Sequence, residues 1–130
     1  MTQLPALVTL LTVLLLLGTV WAVGHARGKY VIKAPAITGH PAFERAYRVQ
    51  MNTLEQTVMF LPTLWLAANY GFSGWAGIAG LVWLAGRTWY AAAYLNDAAK
   101  RGPGFMLGML ALAALLVMAC IGVVRAMSVG

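Results

Sequence analysis

The sequence predicts an all-α fold, an integral membrane bundle of four helices forming a single domain. Three observations carry this. Hydrophobic residues make up 62% of the chain and charged residues only 9%, against roughly 25% charged in a soluble globular domain. The apolar residues gather in four stretches, each near the roughly 20 residues needed to cross a bilayer. The connections between them carry glycine, proline and basic residues, which break helices or mark membrane edges. In a chain of 130 residues four such spans leave no room for a second domain.

The first span, about 4–24, has no charge from Leu4 to Gly24. Ala22 and Gly24 are small enough for a signal cleavage site. No basic residue precedes the apolar run, however, and the run exceeds a signal core, so a retained helix is expected. His25 to Pro41 reads as a loop, with Arg27, Lys29 and Lys33 among Gly28, Pro35 and Gly39. The second span, about 42–70, is amphipathic in its first half and apolar from Met59 to Ala68. Pro62 lies inside it, where a membrane helix tolerates a bend. An uncharged turn from Asn69 to Gly74 leads to the third span, about 75–98. Lys100 to Gly104 forms a second basic connection, and the fourth span follows at about 105–124. The positive-inside rule puts the first and third connections in the cytoplasm, with Arg125 as a mild dissent. Gly74, Gly77 and Gly80 in the third span, with Gly104 and Gly108 in the fourth, mark close helix packing.

Composition also excludes several classes. The net charge of +6 comes from basic residues at membrane edges rather than on a nucleic-acid-binding motif, so nucleic acid is not an expected partner. Cys120 is the only cysteine, so no internal disulfide forms. His25 and His40 have no cysteine or carboxylate spaced to complete a metal site. Ser73 and Ser128 have no His/Asp partners for nucleophilic work.

Polar residues inside the spans are the informative ones, because charge in a membrane is costly. Two of the three acidic residues, Glu44 and Glu55, lie in the segment from Phe43 to Gln56. There Arg48, Asn52 and Glu55 stand at i, i+4 and i+7, which puts them on one helix face. The third span has its own line of Arg87, Tyr90 and Tyr94, continuing through Asp97 to Arg101. Glu55 lies 12 residues in from Phe43, and Arg87 lies 12 residues in from Ala99. At about 1.5 Å per residue each is roughly 18 Å deep, so a buried Glu55–Arg87 ion pair is expected. Nearer the edge, Arg27, Arg48 and Arg101 with Gln50, Asn52, Tyr90 and Tyr94 would suit a small, multiply charged anionic ligand, because guanidinium forks bind carboxylates bidentately.

The run Phe43-Glu44-Arg45-Ala46-Tyr47-Arg48-Val49-Gln50-Met51-Asn52-Thr53-Leu54-Glu55 is followed by the Pro62 segment, by Arg87-Thr88-Trp89-Tyr90 with Tyr94, and by the basic turn at Arg101. In order and spacing this resembles the MAPEG family, membrane-associated proteins in eicosanoid and glutathione metabolism, and looks closest to its bacterial microsomal-type glutathione transferases. The resemblance implies a homotrimer with glutathione as co-substrate, bound between neighbouring subunits. It implies glutathione contacts from Arg27, Arg48, Gln50, Asn52, Glu55, Tyr90 and Tyr94, and thiolate stabilisation by Arg101, with no metal. Gln56 and Gly28 stand where the leukotriene-forming branch has a tyrosine and an arginine, which favours a broader transferase in a bacterial inner membrane. The implied reaction is conjugation of glutathione to hydrophobic electrophiles met in the lipid, a detoxification activity, with peroxidase activity on lipid hydroperoxides beside it. The competing functions are a non-catalytic scaffold that binds lipid or glutathione and a small transporter subunit. The polar lines reach only halfway across the membrane, which argues against transport.

Overall fold

A computed structural model describes residues 3–130 of the chain. Among them are four long helices and no strand: α1 (Leu4–Tyr30), α2 (Pro41–Asn69), α3 (Ser73–Asn96) and α4 (Gly102–Val129), with a short 3-10 turn at Ala98–Lys100 before α4. The protein is a membrane four-helix bundle. α1, and α4 with the turn before it, are long and apolar enough to cross a bilayer; α2 and α3 carry most of the intramembrane polar residues. α2 and α3 form the centre, since each packs against the other and against both outer helices.

The main core lies where the four helices meet, around Val8, Phe60, Leu64, Trp83, Leu112 and Leu115. Phe60 and Trp83 stack with ring centroids 3.7 Å apart. A second cluster of Val23, Ala26, Ile32, Phe43 and Ala46 sits under the α1–α2 loop and fixes how that loop leaves the bundle.

Close packing occurs where the small residues are. A Cβ added at Gly86 would lie 2.5 Å from the Gly108 nitrogen, and one at Gly104 would lie 2.5 Å from the Tyr90 nitrogen. α3 and α4 therefore touch backbone to backbone, which only glycine permits. Gly77 receives Leu4, and Gly80 receives Val8 and Leu64, so these two seat α1 and α2. Gly74 meets nothing within 4 Å and takes no part.

Four helix ends are placed differently from the sequence expectation. α1 continues through His25, Arg27 and Gly28 to Tyr30. One glycine costs a helix only about 1 kcal/mol, and basic residues favour a helix C-terminus. The true end is Val31, in the left-handed region at φ 55°, where the Ile32 N–H closes onto the Arg27 carbonyl at 3.0 Å. α4 begins at Gly102, because Pro103 and Gly104 form its first turn rather than a loop, and it runs on to Val129. α3 stops at Asn96, and Asp97 turns the chain by accepting the Ala99 N–H at 3.0 Å.

Candidate functional site

α2 presents two adjacent faces. Val49, Thr53, Gln56, Phe60 and Leu64 recur at helical spacing and are buried. Beside them Glu44, Arg48, Met51, Asn52 and Glu55 line a cavity of about 720 Å³. The rest of its wall comes from Tyr47 on α2, Tyr90 and Tyr94 on α3, Arg101 and Gly102 at the start of α4, Phe105 one turn further, and Ile37 and Thr38 from the α1–α2 loop. Its volume lies in the range of small-molecule sites, roughly 300–1,000 Å³. The cavity brings together Arg48, Asn52, Glu55, Tyr90, Tyr94 and Arg101, six of the eight residues expected from the sequence.

Each side chain has a local reason for its place. Tyr90 and Tyr94 are one turn apart on α3 and meet edge to face at 5.5 Å, with Phe105 against Tyr90 at 5.9 Å. Arg101 lies at the rim with its guanidinium carbon 5.4 Å from the Tyr94 ring, and its Nη1 donates to the Ala98 carbonyl at 2.6 Å. That bond holds the head group over the 3-10 turn while leaving its other donors free for a ligand. The Arg45 Nε donates to the Leu95 carbonyl at 3.2 Å and ties α2 to the end of α3. On the loop side, the Gly39 N–H donates to the Glu44 Oε2 at 3.1 Å, and the Ala42 N–H donates to the His40 Nδ1 at 3.1 Å. His40 thus caps α2, stacked on Tyr30 at 3.7 Å. The wall carries two cations, Arg48 and Arg101, and two carboxylates, Glu44 and Glu55.

One expectation is corrected, and two further residues lie away from the cavity. Arg87 does not pair with Glu55. Its Nη2 donates to the Asn52 Oδ1 and the Thr53 Oγ1, both at 2.8 Å. Glu55 points along the cavity face of α2 and is exposed, whereas the helix face turned toward Arg87 carries Asn52 and Thr53; matching depth on two helices does not fix which face is turned inward. Arg27 lies outside this cavity: its Nη1 donates to the Ala36 carbonyl at 2.8 Å and its guanidinium carbon sits 4.8 Å above Phe43, so it clamps the loop. Gln50 also lies outside. Gln56, singled out in the sequence as a departure, is buried and joins three helices: its Oε1 accepts from the Trp83 Nε1 at 3.1 Å, and its Nε2 reaches the Met109 sulfur at 3.3 Å.

Sequence reasoning missed Glu44, Tyr47 and Met51. Glu44 and Met51 stand at i−4 and i+3 from Arg48, so helical spacing was signal enough to find them. Ile37 and Thr38 reach the wall through the loop's path, which no local pattern encodes.

Fold and site together define a membrane bundle with a charged, aromatic-walled cavity near one end of its central helices. The family model described as "MAPEG family" matches residues 5–121, and the chain belongs to that family. An uncharacterized protein of Synechocystis is 50% identical over 119 residues, covering 92% of this chain and 87% of the relative. Human microsomal glutathione S-transferase 2 is 42% identical over 101 residues, 78% of this chain and 69% of the relative. Guinea pig (Cavia porcellus) leukotriene C4 synthase is 40% identical over 117 residues, 90% of this chain and 78% of the relative.

Proposed function

We propose that the protein is a membrane-bound glutathione transferase that conjugates glutathione to hydrophobic electrophiles. The observation that supports this best is the convergence of Arg48, Asn52, Glu55, Tyr90, Tyr94 and Arg101 on one cavity. Glutathione carries two carboxylates, one ammonium and a thiol. The cavity's two arginines suit the carboxylates through charge-assisted hydrogen bonds, and its two carboxylates suit the ammonium. The glutathione S-transferases named among the relatives support the same substrate.

Arg101 acts on the thiol. A free thiol has a pKa near 8.5 and is mostly protonated at neutral pH, while a neighbouring guanidinium favours the thiolate. Each unit of lowering is worth about 1.4 kcal/mol and multiplies the thiolate fraction nearly tenfold. The thiolate sulfur then attacks the electrophilic carbon; on an aromatic halide the sulfur–carbon bond forms and halide leaves. With a lipid hydroperoxide the thiolate attacks the distal oxygen, the O–O bond breaks to release the alcohol, and a second glutathione closes the disulfide as water leaves. Hydrophobic electrophiles are concentrated in the bilayer that surrounds the bundle.

The working form is a homotrimer in a bacterial inner membrane, with the basic loops cytoplasmic and the open side of the cavity closed by a neighbouring copy. Arg27 and Gln50, which lie outside their own subunit's cavity, then contact glutathione in the neighbour's. The test is conjugation of glutathione to a model aromatic electrophile by detergent-purified protein, with glutathione binding measured in parallel. Binding with turnover supports the transferase; binding without turnover leaves a scaffold; no binding removes glutathione from the reading.

A further inference from the structure

Arg87 is fully buried and lies behind the cavity wall without lining it. Its Nη2 holds Asn52 and Thr53, and its guanidinium carbon sits 4.2 Å over the ring of Tyr90. Asn52 and Tyr90 are both wall residues, so one buried cation touches two of them from the rear. A guanidinium has donors only, so the Asn52 group facing it must be the carbonyl oxygen. That chemistry settles the amide's orientation, which atom positions alone leave open. With Oδ1 held, Nδ2 is the group left to serve the cavity, and it offers two donors and no acceptor.

The cost of this arrangement argues that it is kept for the cavity. Nε and Nη1 of Arg87 are buried without a partner among the described residues. A pin between two helices needs no charge, and a buried cation with orphaned donors is worse for stability than a neutral amide.

We propose that Arg87 is a positioning residue for the ligand: it fixes Asn52 so that Nδ2 faces the cavity as an oriented donor to a carbonyl or carboxylate of the bound peptide thiol. This rests on the glutathione reading above. A hydrogen bond between this donor and a charged acceptor would contribute about ten- to a hundredfold in affinity, and freeing the amide to rotate forfeits most of that.

The test is a double-variant cycle on detergent-purified protein, with glutathione binding followed by calorimetry and thiolate absorbance read at saturating glutathione. Arg87→Met is expected to weaken binding about ten- to a hundredfold when Asn52 is present, but less than about threefold in an Asn52→Ala background. Thiolate absorbance per bound glutathione should stay at the wild-type level, since Arg101 is untouched. An equal loss in both backgrounds, or loss of the thiolate signal at saturation, overturns the proposal. Should Arg87→Met fail to fold, Arg87→Lys runs the same cycle: one ammonium replaces the fork that holds both Asn52 and Thr53, and the same dependence on Asn52 is required. Wild-type protein that binds no glutathione would refute the functional reading itself, whereas wild-type binding with an equal Arg87 loss in both backgrounds refutes the positioning role alone.

Discussion

Arg101 and Glu55 stand on the same cavity wall, yet they predict opposite signatures. Arg101 has one donor spent on the Ala98 carbonyl and sits at the exposed rim. Arg101→Ala should therefore leave glutathione bound while removing the thiolate band near neutral pH and lowering conjugation at least about tenfold, the value of one unit of thiol pKa. Equal losses in binding and turnover would instead make Arg101 a general anchor. Glu55 was expected to be half of a buried ion pair, and breaking such a pair costs about 3–5 kcal/mol. It is exposed, and Arg87 bonds elsewhere. Glu55→Gln should hence shift unfolding by no more than about 0.5 kcal/mol while weakening glutathione binding, measured by thermal unfolding in detergent beside calorimetry. The spacing of Arg48, Asn52 and Glu55 was enough to read their shared face. The partner of Arg87 was not legible, because rotating a helix by one residue exchanges Glu55 for Gln56 and no local signal records that rotation.

At the scale of elements, the four helices were legible because apolar runs of membrane length leave the backbone no other way to satisfy its hydrogen bonds. Their ends were less so. Gly28 and the basic residues around it read as a loop, yet α1 continues until Val31, because a buried Ile32 just beyond decides where the chain turns. Gly102 and Pro103 read as a break and instead start α4, where a proline in the first turn is at home. Two junctions yield predictions. Gly104→Ala puts a methyl group against the Tyr90 backbone, and overpacking of that kind costs about 1–3 kcal/mol. Because Tyr90 lines the cavity, the shift of α3 should weaken glutathione binding as well as lower the unfolding temperature. At the start of α2, His40→Ala removes the acceptor for the Ala42 N–H and should cost about 1 kcal/mol, with His40→Ser restoring most of it. Unchanged stability in His40→Ala would show that neither the cap nor the Tyr30 stack holds this corner, and a failure of His40→Ser to restore a loss would assign it to the stack.

For the whole molecule, the question is how many chains make one site. Within one chain, Arg48, Asn52, Glu55, Tyr90, Tyr94 and Arg101 share the cavity, while Arg27 and Gln50 do not. If a neighbouring copy supplies the last two, then Arg48→Ala and Gln50→Ala damage opposite halves of each composite site. Chains carrying one change each, inactive on their own, should regain activity when co-expressed and purified as mixed oligomers. A site is whole only where the Gln50-variant chain supplies the Arg48 half and the Arg48-variant chain supplies the Gln50 half. In a cyclic assembly with random mixing that holds for about a quarter of the sites. Recovery of about a quarter of wild-type conjugation would establish a site shared between chains. No recovery, with each variant still binding its partner chains, would mean that Arg48 and Gln50 serve the same chain's site. The outcome separates the alternatives because it depends only on which chain carries Arg48 and which carries Gln50, and not on how strongly either residue binds.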